Sequence, residues 1–135
     1  MYKKILVPVA SDHDPKTENA IAVARLLADK GEKITVLTVV ESVPDFIVSH
    51  LPEGQMERNR RAIADGLAED FAGADDINIA VITGHAGRSI VEYAEDQGID
   101  CIVMNSHRPD LTDYFLGSTA ARVVRHAQCS VHVLR

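Results

Sequence analysis

The sequence predicts an α/β protein: a three-layer, doubly wound parallel sheet with helices on both faces. Three observations predict it. Short runs rich in β-branched apolar residues recur five times. Between them lie stretches whose apolar residues return every three or four positions, as on one face of a helix. The two kinds alternate as β-α-β-α-β-α-β-α-β, and that alternation builds a parallel sheet between helical layers.

Ile5 to Val9 is a continuous apolar run, suited to a strand covered on both faces. Pro8 sits near its end, where a missing N–H costs least. Asp14 followed by Pro15 reads as a helix start. Ala20, Ile21, Val23, Ala24 and Leu27 then share a face, and Gly31 supplies the stop. Ile34 to Val40 is the second strand. Glu41 to Gly54, with Pro44 and Pro52, reads as a long excursion holding a short helical turn at Phe46 to His50. The next helix spans Gln55 to Phe71, with Met56, Ile63, Leu67 and Phe71 inward. Its charged run Arg58 to Arg61 reads as a solvated face. Gly73 to Asp76 is a turn, and Ile77 to Ile82 is the third strand. Gly84 to Gly87 turns into a helix over Arg88 to Gln97, with Ile90, Val91 and Ala94 inward and Gly98 beyond its end. Cys101 to Met104 is the fourth strand. Ser118 to Ala127 is a helix with Ala120, Ala121, Val123 and Val124 on its buried side, and Val131 to Leu134 is the fifth strand.

A length of 135 residues suits one domain, 1–135, with a real hydrophobic core. Apolar residues make up 46%, too many for a disordered chain. The net charge of −6 argues against a nucleic-acid surface, which needs a basic stripe. MYKKILVPVA turns polar too soon for a signal peptide or a membrane span, so a soluble cytoplasmic protein is expected. Cys101 and Cys129 each open a predicted buried strand and read as two reduced core thiols.

The chemistry concentrates in Cys101 to Ser118, a buried strand, a polar loop and then Gly117-Ser118-Thr119 opening a helix. Free N–H groups and the helix dipole make such a junction a place for anions. In open parallel sheets ligands lie beyond the carboxyl ends of the strands, where strand order reverses. The loops at that end are Ala10–Asp14, Val39–Pro44, Thr83–Gly87 and Asn105–Leu116. If the first and fourth strands flank the reversal, the first and last of these loops face one crevice.

Other chemistries fit the same residues less well. Ser106-His107 lacks the strained elbow of a nucleophilic serine, and adjacent residues rarely align as nucleophile and base. His13, His85 and His107 share one end of the sheet, but their spacing is no recognised metal pattern, and they read as solvated loop histidines. His126 and His132 are explained by packing or an edge position. Asp110 and Asp113 read as solvent-facing turn residues. Tyr114, Phe115 and Leu116 read as an anchor for the loop rather than a cover over a ligand.

Four segments, KKILVPV, IVMNSHR, LGSTAARVVRHA and CSVHVLR, together resemble the universal stress protein family. The resemblance runs the whole length, and the SHRPD and LGS segments are similar to its bacterial F or G type. It implies a five-stranded sheet of order 3-2-1-4-5, of the adenine nucleotide alpha-hydrolase-like kind. It also implies a homodimer pairing through the terminal strand, Val131, His132, Val133 and Leu134. Many members bind ATP or a related adenine nucleotide through G-x2-G-x9-G-[ST] and act in stress tolerance or signalling. Gly117-Ser118 matches the end of that motif, and Thr119 adds an N–H and a hydroxyl. Asn105, followed by Ser106 and His107, stands at the first glycine, and Arg108 at the second. The loop is one residue shorter than the pattern. Arg108 could pair with phosphate, since a guanidinium fits phosphate oxygens, or with Asp110 or Asp113. Where many members carry an Asp after the first strand, this chain has Ala10, then Ser11 and Asp12. The adenine edge is expected at backbone groups near Val39. Any magnesium ion (Mg2+) would arrive with the nucleotide phosphates rather than at a dedicated protein site. The implied function is a dimeric nucleotide-responsive regulator. A partner-binding stress protein without nucleotide is the alternative. Weak ATP hydrolysis ranks last, because no general base has an oriented partner.

Overall fold

The computed structural model describes residues 1–11, 16–106 and 116–135. Its elements are β1 (Ile5–Pro8), α1 (Lys16–Leu27), β2 (Ile34–Glu41), α2 (Asp45–Val48), α3 (Gln55–Asp70), β3 (Ile77–Gly84), α4 (Ala86–Asp96), β4 (Cys101–Asn105), α5 (Ser118–His126) and β5 (Ser130–Leu134). All strands pair in parallel, in the order β3-β2-β1-β4-β5. The expected strand order is therefore observed, and β1 and β4 do flank the reversal. The helical turn expected at 46–50 is the short α2. The Asp14-Pro15 helix start lies outside the described residues.

Side chains alternate across a strand, so each central strand feeds both layers. Ile5, Val7, Ile34, Val36 and Val103 meet Ala20, Ile21 and Ala24 of α1 and Leu67 of α3. Leu6, Leu37, Ile102 and Met104 meet Ile90 and Ala94 of α4 and Ala120 and Val123 of α5. Gly31 and Gly98 follow α1 and α4 with φ of +85° and +66°, the left-handed region that suits glycine after a helix.

Three expectations need correction. Val124 is 47% exposed rather than buried, because a nine-residue helix inserts only Ala120 and Val123 between α4 and the sheet. α4 begins at Ala86, two residues before the expected start, and β3 runs on to Gly84. The apparent turn is a strand end meeting a helix end directly. Cys129 lies just before β5 and is half-buried, whereas Cys101 is buried as expected.

The two helical layers pack differently. α4 and α5 approach through Gly87, where an added Cβ would lie 2.7 Å from Arg122 Cδ and 3.1 Å from its Cβ. On the other face Arg25 of α1 reaches across to Asp76 with hydrogen bonds of 2.7 and 3.1 Å. This bond lowers the Asp76 pKa and raises that of Arg25. Both partners are solvent-accessible, so the pair contributes modestly to stability.

Burial pushes the Cys101 thiol up to about 11 and raises that of Cys129. Neither thiol is expected to react quickly with a disulfide reagent at pH 8, while both should react in denaturant. Rapid modification of the folded protein would contradict this. Gly87→Val should separate α4 from α5 and cost about 1–3 kcal/mol in urea denaturation. An unchanged midpoint would mean that the helices do not depend on close approach there.

Candidate functional site

The carboxyl end of the sheet splits between β1 and β4. β1 stays paired with β2 to Pro8↔Leu37, and β4 stays paired with β5 to Asn105↔Leu134. Between β1 and β4 only Ile5↔Cys101 and Leu6↔Ile102 are in register. Pro8 supplies a physical reason. Main-chain groups of successive strand residues point to opposite neighbours. Val9 N–H donates to Leu37 on β2 at 2.8 Å, and Lys4 C=O accepts from Cys101 on the β4 side at 3.4 Å. Position 8 therefore faces β4, and proline has no N–H to offer there. The opposite end is clamped: the Asp100 carboxylate accepts from Lys3 N and Lys4 N, each at 2.9 Å.

Ser106 organises the β4 side. It is 3% exposed. Its N–H donates to Leu134 C=O at 2.7 Å, and its C=O accepts from Gly117 N at 2.7 Å. The second bond draws the start of α5 to the end of β4. Gly117 has φ −59° and ψ 155°, an extended conformation, and no described side chain caps the helix. Ala121 N–H returns to Gly117 C=O, so the amides of Ser118, Thr119 and Ala120 form the open first turn. That turn carries no acidic residue, and Arg125 and His126 occupy the last turn. α4 is different: its Ala86 N–H is taken by the Glu41 carboxylate at 3.3 Å. Of these two helix starts, the chain's own carboxylate occupies one.

Ala10 and Ser11 are exposed beyond β1. Val39 is half-buried on β2, which continues to Glu41 paired only with β3, so its edge toward β1 runs past the end of that ladder. Thus Ala10, Ser11, Val39, Asn105, Ser106, Gly117, Ser118 and Thr119 all lie at the carboxyl end of the sheet or at the start of α5. Asp12, His107 and Arg108 lie outside the described residues, as do His13, Asp110, Asp113, Tyr114 and Phe115. Leu116, the one described residue of the cluster Tyr114 to Leu116, is 38% exposed. His85 stands exposed at the start of α4. Among the described residues no cluster could hold a metal ion, and no helix is long and apolar enough to cross a membrane.

Sequence reasoning missed three features here. Glu41 closing α4 had no local signal, since its partner lies 45 residues away. Thr38 is fully buried, with a hydroxyl that has no hydrogen-bond partner among the described residues. A cavity of about 630 Å3 opens between α1 and α3, and Val9, Ala10 and Ser11 line its upper end.

An open parallel sheet with order 3-2-1-4-5, split at its switch point beside a helix start, defines a doubly wound α/β protein of the adenine nucleotide alpha-hydrolase-like kind. A profile of the Universal stress protein family matches residues 1–135, and the chain belongs to that family. It is 29% identical to universal stress protein G of Salmonella typhimurium over 142 residues, covering 100% of both chains. It is 26% identical to a universal stress protein of Methanothermobacter thermautotrophicus, covering 100% of this chain and 97% of the other. Among solved structures, the protein MJ0577 superposes with a TM-score of 0.75 at 26% identity, over 99% of this chain and 96% of that one. Two more distant relatives are nucleotide complexes. One is a universal stress protein with cAMP, at TM-score 0.70 and 19% identity, covering 99% and 97% of the chains. The other, from Archaeoglobus fulgidus with dAMP, has TM-score 0.60 and 16% identity, covering 99% and 98%.

Pro8→Ala restores a donor facing β4. It is expected to add a β1–β4 rung, seen as a slowly exchanging amide at position 8. A rapidly exchanging amide there would show that something other than the missing N–H holds the split open.

Proposed function

We propose that this chain is an adenine-nucleotide-binding regulatory module of the stress response, working in the cytoplasm as a homodimer. The observation that carries the reading is the split between β1 and β4 beside the open first turn of α5. The amides of Ser118 and Thr119, next to Gly117, would receive the phosphates, with no carboxylate in that turn to oppose them. Asn105 would border the phosphates. The main-chain groups of Ser106 are engaged with Leu134 and Gly117, so its part is to hold the site together. Ala10, Ser11 and the β1-facing edge at Val39 would take the adenosine end. Asp12, His107 and Arg108 complete the proposed set. The nucleotide complexes of the two distant relatives support the ligand class. ATP with Mg2+ is the form proposed for this chain, and the ion would come with the phosphates.

Among the described residues β5 pairs with β4 alone, and its other edge is the proposed dimer contact through Val131, His132, Val133 and Leu134. A second reading, a stress protein acting through partners without nucleotide, is favoured by one observation. Phe46 of α2 is 69% exposed, with Ile47 and Val48 beside it.

Calorimetric titration of nucleotide-stripped protein with ATP and magnesium is expected to give saturable micromolar binding at one site per chain. Gly117 has a backbone that any residue can adopt, so Gly117→Glu should abolish binding and leave the circular dichroism unchanged. No heat at millimolar ATP, or unaltered affinity in that variant, would overturn the site and favour the partner reading. Val133→Pro should yield monomers in sedimentation, and persistent dimers would place the interface elsewhere.

A further inference from the structure

The cavity between α1 and α3 shares Ala10 and Ser11 with the proposed nucleotide site, and the rest of its described lining comes from other residues. Its volume of about 630 Å3 falls within the range of small-molecule sites. Ile21 of α1 and Ile63, Leu67 and Phe71 of the α3 side give it an apolar wall. Gly66, in the middle of α3, also lines it. Glycine weakens a helix interior relative to alanine. Here no positive φ calls for it, and an added Cβ would meet no atom within 4 Å. Neither backbone conformation nor packing accounts for this glycine. Its effect is to leave volume in the groove.

Polar groups gather toward the upper end. Ser11, Thr17 and Glu18 line it there. Val9 also lines it, and Thr38 is next to Val9 in the β1–β2 register, on the same sheet face as Val36. The Thr38 side chain is thus on the α1/α3 face of the sheet, fully buried beneath the groove rather than in its lining, and its hydroxyl has no hydrogen-bond partner among the described residues. A buried, unpartnered hydroxyl is costly and calls for an explanation. Charge selects the ligand. The guanidinium in the lining, Arg25, is engaged by Asp76 through bonds of 2.7 and 3.1 Å. The described lining carries two carboxylates, Glu18 on the first turn of α1 and Asp70 at the end of α3, in a chain of net charge −6.

We propose that the groove between α1 and α3 binds a small amphipathic amine, its apolar body along Ile63, Gly66 and Leu67 and its ammonium group toward Glu18. The groove shares Ala10 and Ser11 with the proposed nucleotide crevice but not Val39, Asn105 or the start of α5. Because Ala10 and Ser11 are common to both, the probe is titrated into ATP-free protein, so that its outcome does not turn on ATP binding.

The test uses the full chain and dansylcadaverine, a fluorescent ring with an ammonium tail. Saturable, blue-shifted emission at one probe per chain is expected. Gly66→Leu should fill the groove and weaken binding about tenfold or more, with unchanged circular dichroism. Dansylglycine, which carries a carboxylate on the same ring, should bind several-fold more weakly, and Glu18→Gln should narrow that difference. No saturation below millimolar probe, or wild-type affinity in folded Gly66→Leu, would overturn the site. Equal affinity for the two probes would overturn the amine assignment. If Gly66→Leu does not fold, amide shifts in the unsubstituted chain decide. Shifts along Thr17–Arg25 and Ala62–Phe71 support the groove, and shifts confined to α4 and α5 refute it.

Discussion

The short ladder between β1 and β4 is the constraint on which the molecule turns. It is the seam between the two halves of a doubly wound sheet, and it has two residue pairs in register. At one end Asp100 holds the amides of Lys3 and Lys4. At the other Pro8 offers no donor, and the strands part. A longer ladder would make a stiffer sheet with no opening at the switch point. A shorter one would leave two half-sheets joined by little more than side chains. The parting of β1 from β4 at the switch point is therefore a consequence of how one seam ends.

The layers on either side of the seam are built to different standards of closeness. α4 and α5 meet where Gly87 lets Arg122 approach, and the Glu41 carboxylate fixes the start of α4 from a neighbouring strand. Arg25 ties the lower end of α1 to Asp76, in the turn before β3, while α1 and α3 remain apart along Gly66. Small residues do opposite work in the two layers. Gly87 removes space between helices, and Gly66 preserves it.

Much of the fold was legible because buried parallel strands announce themselves as β-branched runs. The five strands and four of the helices were anticipated in order. Strand order was not legible from local pattern, because nothing in Ile5–Val9 says which strand lies beside it, and it came only through family resemblance. Val124 was misplaced because periodicity marks an apolar stripe without saying how wide a stripe the sheet can cover. The start of α4 was hidden by Gly84 to Gly87, which resemble a turn. Among the site residues, Ala10, Ser11, Val39, Asn105, Ser106 and Gly117 to Thr119 sit at the expected end of the sheet because strand polarity dictates it. The groove was not legible, since empty volume between Ile21 and Gly66 leaves no periodic trace in either segment. The Glu41 and Thr38 environments depend on partners, or on the lack of them, far away in sequence.

The two bonds of Ser106 carry one more implication. Leu134 at the outer edge of the sheet, Ser106 at the end of β4 and Gly117 at the start of α5 form a relay made entirely of peptide groups. Such a relay is indifferent to side-chain identity. Substitutions can change the chemistry at the edge strand and at the helix start separately, while the mechanical connection between them persists. A lineage of these proteins could exchange partners at one end and ligands at the other without ever rebuilding the link.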